Sequence, residues 1–285
     1  MEPITVYSGS VDFGCRACSL GTNEVAAVSD YLWYWGFWTF FILIAVIEYV
    51  RARGSLDLQR KARWPINFGF GLINSALFTL LPVGLVVVAQ WEATNKFGLF
   101  HQLECPVWLI ITVSILTVSF GQYVFHRCAH KVPVLWAIHR VHHSDMQLDS
   151  STQLRFHPLE FVVGLVFLMP LVITMGLDPK AIAAFQMIEI VVGVTSHTSI
   201  VLSASTERIL GTLFITPGLH HMHHSRQMTE ANTNFGGVFS FWDRIFGTYS
   251  AGAHAGRNIQ SGVIEIDSEL ATNFDWLLVS PWRAR

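Results

Sequence analysis

The residues with the most chemistry in them are histidines. His126, His130, His139, His142 and His143 fall in one stretch, HRCAHKVPVLWAIHRVHH at 126–143. His220, His221, His223 and His224 fall in HHMHH at 220–224. Nine of the chain's 13 histidines thus occupy 23 of its 285 positions. On a helix, residues three and four apart share a face. That spacing sets His126 with His130, groups His139 with His142 and His143, and repeats the triplet at His220, His223 and His224. His221 is turned about 100° from His220 and lies beside that face. Neutral imidazole is a ligand for iron, zinc, copper and nickel. One ion takes at most about six protein ligands, so eight imidazoles predict two ions. A lone HxxxH pair is as well explained by solvation or a hydrogen bond, but three such groups in one chain are not.

Something must carry these groups to one place, and the composition says what. The chain is 52% hydrophobic and 13% charged, with mean hydropathy +0.43. A soluble domain carries about 25% charged residues. The reading is an all-α integral membrane helical bundle, with about three spans plus a helical hairpin or two further spans, and a cytoplasmic histidine-rich helical cap. Residues 1–285 read as a single membrane domain. Spans occupy 31–125, and a histidine-rich catalytic region occupies 126–250 and includes an apolar hairpin at 161–202. The net charge of −2 gives no global basic field, which excludes nucleic acid as a partner.

The first long apolar run is YLWYWGFWTFFILIAVIEYV at 31–50, with Trp33, Tyr34, Trp35 and Trp38 grouped as an interfacial belt. A second run, 66–89, is interrupted by Asn67, Asn74 and Pro82, and Pro82 predicts a kink. A short polar loop at 90–105 follows. The third run, 106–125, leads straight into His126. Shorter runs at 161–177 and 181–202 are joined tightly through DPK. The cation-rich segment RARGSLDLQRKAR at 51–63 belongs in the cytoplasm by the positive-inside rule. The N-terminus is then outside, and the inner segments hold 15 of the 18 cations. On this topology both histidine clusters face the cytoplasm, as a shared centre requires. MEPITVYSGSVDFG at the N-terminus lacks the basic start and apolar core of a cleaved signal peptide. The aromatic stretch NFGGVFSFWDRIFGTY at 234–249 is expected to lie against the cluster or the membrane face.

Two further histidines fall on the inner side: His157 in RFHPLE and His197 in VTSHTS. Each is read as an added ligand or as a core histidine with one hydrogen bond. His101, on the outer loop, and His254, in the tail, are excluded. Glu189 lies inside the fifth apolar run, where an ionisable group is costly and marks function by default. Glu189, Asp145, Asp149 and Glu160 are candidates to orient a ligating imidazole from behind. Cys15 and Cys18 form a CxxC with no further ligands nearby, and the four cysteines are read as free thiols.

An all-imidazole two-ion site at the edge of apolar helices points to lipid chemistry. Zinc has no redox chemistry. Iron could activate O2 against an unactivated C–H bond, giving an alcohol, or a double bond if a second hydrogen is lost. HRCAH at 126–130, HRVHH at 139–143 and HHMHH at 220–224 resemble the histidine boxes of the fatty acid hydroxylase / sterol desaturase superfamily. RFHPLE at 155–160, SHTS at 196–199, TPGLH at 216–220, NFG at 234–236 and WDRIFGT at 242–248 fit the same resemblance, which covers about residues 105–250. It implies an integral-membrane, non-haem di-iron oxygenase that hydroxylates or desaturates a lipid, with two iron ions that zinc can replace in preparations. It implies that His126, His130, His139, His142, His143, His220, His223 and His224 ligate them, with His197 a further ligand and His157 a weaker one. Electrons would come from an external ferredoxin or cytochrome b5-type donor, since no GxGxxG loop or haem domain is found. The competing readings are a metal-binding or metal-transport membrane protein and a bis-histidine haem protein.

Overall fold

The structure is a computed structural model that describes the backbone of residues 22–51, 58–81, 83–251 and 259–283. Side chains are described for 35–50, 60–81, 83–251 and 259–283. Cys15, Cys18, Pro82, His254 and the N-terminal stretch lie outside the described residues. Those described form helices, with two isolated antiparallel bridges, Phe214 to Phe239 and Ser225 to Ser261.

Proline and its neighbours set where the main helices begin. α4 (Val107–Lys131) stops at Val132, because the residue before a proline resists helical backbone, and Pro133 opens α5 (Pro133–His143) at its first position. Pro158 opens α6 (Pro158–Met175), and Pro179 opens α7 (Pro179–His197), where the Asp178 side chain caps the Ala181 N–H. After the short α8 (Ala204–Leu210), Pro217 opens the short α9 (Pro217–His223), capped by Thr216. α6 ends at Gly176, whose φ of +68° is left-handed.

The apolar body packs α3 (Leu85–Asn95), α4, α6 and α7 around Val88, Ala89, Val118, Val172, Ile182 and Phe185. α1 (Thr22–Arg51) lies along α7, with Phe41 and Ile44 packed against Val194. Among the described residues, four segments are long and apolar enough to cross a membrane: Arg60–His101, α4, α6 and α7. The described apolar part of α1, Trp35–Val50, is shorter. The α6–α7 tip is pinned at the end away from the histidines. A Cβ on Gly98 would stand 2.2 Å from the Gly176 nitrogen, so only glycine permits the approach. Buried Glu92 accepts from the Gly98 N–H and pairs with His101 there.

Two expectations are corrected. The run at 66–89 is two helices, α2 (Leu58–Leu80) and α3, separated at 81–84. A proline at position 82 opposes an unbroken helix, which accounts for two helices where one run was read, and the polar positions act within α2. Asn67 and Asn74 are buried and hydrogen-bond to Asp145, Ser151 and the Phe156 carbonyl, which holds α2 against the histidine end. The loop read at 90–105 is helical as far as Asn95, because Glu92 is buried with its own partners.

A layer of buried charge supports the histidine end. Arg63 meets the Asp145 carboxylate through two nitrogens and Asp149 through a third. Fully buried Arg155 donates to the Val141 and Ala271 carbonyls, Asn67 Oδ1 and Ser144 Oγ. Glu48 on α1 accepts from Ser150, Thr198 and Ser199. Burial alone would raise the Asp145 carboxyl, but Arg63 overrides it and the group sits at about 2. Removing one partner of such a pair leaves a buried charge uncompensated. Arg63→Ala should therefore destabilise the protein by about 3–5 kcal/mol, and Arg63→Met with Asp145→Leu should recover much of that. Thermal unfolding in detergent checks both; equal losses in the single and double variants would contradict it.

Candidate metal centre

Three helix ends and one short helix bring the histidines together. α4 delivers His126 and His130 in its last two turns, α5 carries His139, His142 and His143, α7 ends on His197, and α9 with its cap carries His220, His223 and His224. They sort into two adjacent groups. His126, His130, His139, His143 and His223 form the first, and His142, His197, His220 and His224 the second. Within each group one ring nitrogen per residue lies within 4.8 Å of all the others.

The triplets expected to share a face are each split. His139 and His143 serve the first group and His142 the second, whereas His220 and His224 serve the second and His223 the first. Helix geometry explains it. Residues i and i+4 differ by about 40°, but i+3 and i+4 differ by about 100°. Each helix therefore lies along the seam and feeds both groups, in opposite proportions. The rings touch across that seam: His143 stacks on His224 with centroids 4.2 Å apart.

Several ring tautomers follow from the partners. A carbonyl oxygen can only accept, so a ring nitrogen beside it carries the proton and the other nitrogen a lone pair. His126 Nδ1 donates to the Phe235 carbonyl at 2.8 Å, His197 Nδ1 to Gly193 at 2.7 Å and His223 Nδ1 to Thr233 at 2.8 Å. His139 Nδ1 donates to the Glu160 carboxylate at 2.6 Å. The Nε2 lone pairs of these four rings point inward.

Those lone pairs face one another. His126 Nε2 stands 3.1 Å from His139 Nε2, and His139 Nε2 stands 3.1 Å from His143 Nε2. In the second group, His197 Nε2 is 3.1 Å from His142 Nε2 and 2.9 Å from His220 Nε2, and His220 is 3.2 Å from His224. Neither His126 nor His139 has a proton at Nε2, so their approach is no hydrogen bond. His223 Nε2 is buried and unpartnered. Ligands at right angles around an ion with metal–nitrogen bonds of about 2.1 Å stand about 3.0 Å apart. The donor set therefore fits one borderline divalent cation in each group.

The surroundings favour neutral rings. Burial and then the neighbouring imidazoles hold His142, His143, His220 and His224 well below the usual histidine range. Burial takes His223 to about 3. Phe156 stacks on His142 at 4.0 Å, and Trp136 and Phe235 pack on His130 at 5.0 and 5.1 Å.

The remaining candidates fall elsewhere. His157 is in neither group: its Nδ1 accepts from the Leu159 N–H as a helix cap, and its Nε2 donates to the Leu278 carbonyl. Asp145 and Asp149 touch no imidazole, because Arg63, Asn67, Trp64 and Ser151 take their oxygens. Glu189 bonds to Gln122 and not to a ring. Of the four carboxylates considered, Glu160 alone backs a clustered histidine. His221 is outside both groups, and His101 is at the far end with Glu92.

Two residues that the sequence analysis placed in the NFG and WDRIFGT matches without a role hold the carbonyls in place. Asn234, at φ +54°, bonds through its side chain to Leu219 and Ser250. Asp243 accepts from the Phe235 and Gly236 N–H groups and from Thr248. A Cβ on Gly236 would stand 2.3 Å from the Phe239 carbonyl. The NFG and WDRIFGT stretches thus lock the loop that presents Thr233 and Phe235 to the first group. The signal available in sequence was an asparagine and an aspartate in an apolar, aromatic segment.

The chain matches the fatty acid hydroxylase family over residues 111–248. It is 33% identical to alkylglycerol monooxygenase of Homo sapiens over 74% of this chain and 46% of that protein. It is 29% identical to ornithine lipid hydroxylase OlsE of Rhizobium tropici, over 74% of this chain and 61% of that one. Cholesterol 25-hydroxylase of Mus musculus is 33% identical over 59% of this chain and 60% of its own. The chain thus spans about half to three fifths of these relatives. No solved structure matches. With all nine clustered histidines inside the matched region, the chain belongs to the fatty acid hydroxylase / sterol desaturase superfamily.

Proposed function

We propose that the chain is an O2-dependent membrane oxygenase that hydroxylates a lipid C–H bond, with two iron ions held by the nine histidines. The observation that carries this reading is the apposition of unprotonated Nε2 atoms at 3.1 Å, His126 against His139, which only a cation between them makes favourable. Redox-active iron supplies the O2 and electron chemistry that an unactivated C–H bond demands and that zinc lacks. The names of the relatives support lipid as the substrate class and hydroxylation over desaturation.

The chain's own groups divide the remaining work. His126, His130, His139, His143 and His223 would hold one ion, and His142, His197, His220 and His224 the other. The Phe235, Gly193 and Thr233 carbonyls keep three rings in the tautomer that offers Nε2. Glu160 does the same for His139 and makes that ring more electron-donating. Phe156, Trp136 and Phe235 cover the rings with apolar surface and exclude water. α4, α6 and α7 offer apolar walls along which an acyl or similar chain can lie. Electrons come from a separate ferredoxin or cytochrome b5-type donor on the cytoplasmic side, where the cation count sets the histidine end and leaves the N-terminus outside.

Purified anaerobically, the protein should hold two iron ions per chain. With reductant, donor and a membrane lipid extract it should consume O2 and produce lipids heavier by 16 mass units. Zinc alone with no O2 uptake would sink the reading, and a loss of 2 mass units would make it a desaturase. His220→Ala and His223→Ala should each insert in the membrane, lower the metal content by about one ion and cut turnover at least about a hundredfold. Full activity in either variant would break the assignment. In the metal-free chain the unfolded state takes up protons below about 6.5, whereas folded His223 stays neutral to about 3. Stability of the metal-free protein should therefore fall as pH drops from 6.5 towards 3, and a melting temperature flat over that window would count against buried neutral rings.

A further inference from the structure

One polar pair in the apolar body is left over. Gln122 on α4 donates from Nε2 to Glu189 Oε1 on α7 at 2.9 Å. Both residues are partly exposed. Among the described residues neither Gln122 Oε1 nor Glu189 Oε2 has a partner, and neither is a sealed-off atom, so both face accessible space. Gly237, which is exposed, adds no side chain there: a Cβ on it would stand 3.6 Å from Gln122 Oε1. A carboxylate and an amide with open valences inside a spanning segment are costly unless something uses them.

Their position says what. Gln122 precedes His126 by four residues, so it lies about one turn away on the same face of α4, about 6 Å along the axis. His126 is the one partly exposed member of its group, while the other four are buried. The first group is therefore open towards the side from which Gln122 projects. The open valences are two acceptors, Gln122 Oε1 and Glu189 Oε2, with one N–H left on Gln122. A hydroxyl can donate to one of these acceptors and accept from the remaining N–H at one atom, whereas an amide N–H only donates.

We infer that Gln122 and Glu189 are positioning residues that bind a hydroxyl of the lipid substrate within the membrane, and so select lipids whose hydroxyl lies within about four carbons of the carbon attacked. The inference rests on the oxygenase reading above. It favours a lipid with a polar group near the reacting carbon over one whose only hydroxyl is at the far end of a rigid apolar skeleton.

The test uses the full chain in its membrane, with electron donor and O2 supplied, against the same membranes carrying His142→Ala. Fragmentation mass spectrometry locates each inserted oxygen. Oxidised lipids should carry a hydroxyl within about four carbons of the new one. Oxidised lipids without such a hydroxyl overturn the role of the pair and leave the oxygenase standing. No oxidised lipid at all overturns the oxygenase, and the pair's role with it. A second arm needs no turnover. The precursor so identified and its O-methyl ether are bound under nitrogen to the metal-loaded protein. The wild type should prefer the free hydroxyl at least about tenfold, because the ether has no proton to donate to either acceptor. Gln122→Leu and Glu189→Leu should keep both metal ions and lose that preference. Equal binding of the two lipids by the wild type, or a preference kept in both variants, overturns the assignment.

Discussion

Two imidazole lone pairs aimed at each other across 3.1 Å repel, and burial of the other four rings of the group leaves little solvent to soften the repulsion. The histidine end of this molecule is organised around that constraint. Left to themselves, the rings would turn and donate to one another, one Nε2–H to the next Nε2. They are prevented from behind. Three backbone carbonyls and one carboxylate take the Nδ1 protons of His126, His139, His197 and His223 and fix the tautomer that cannot form such a chain. A cation turns the same arrangement from repulsive to strongly favourable. The cost of assembling it is met by the rest of the fold, which is why so much buried polar structure surrounds so few residues.

That support comes from distant parts of the chain. Phe235 and Thr233 present their carbonyls because Asn234 and Asp243 clamp the loop between them. Gly193 presents its carbonyl one turn before the end of α7 and accepts from His197 Nδ1. Arg63, Arg155 and Glu48 tie α1, α2 and the segment 141–155 into one layer beneath the rings. Such buried charges are weak contributors to net stability but strict about geometry, since each leaves an uncompensated partner if displaced. On the proposed reading this strictness serves the metal: ligands set within a few tenths of an ångström need a frame that does not yield.

The apolar body has a different task. Its packing is ordinary, but it aligns the ends of α4 and α7 so that His126, His130 and His197 arrive at one level. The tip joining α6 to α7 is locked at the opposite end by Gly98 against Gly176 and by Glu92. Gln122 with Glu189 is a polar pair within that body and joins α4 to α7.

The sequence by itself determined the fold class and pointed to the eight histidines of the three boxes, with His197 and His157 each left as a ligand or a core histidine. Those features are local: helical periodicity and residue type act without reference to the rest of the chain. It also pointed to Glu160 among several carboxylates without separating it from Asp145, Asp149 or Glu189. Only the tertiary structure decided which ring joins which group, that His157 caps a helix and binds the Leu278 carbonyl, and that Asp145 faces Arg63. These are choices among partners brought close from up to 121 residues apart, and spacing along one helix carries no record of them. The splitting of both triplets belongs here too. A 100° step between i+3 and i+4 permits a shared face or a divided one, and the seam between α5 and α9 chose the second.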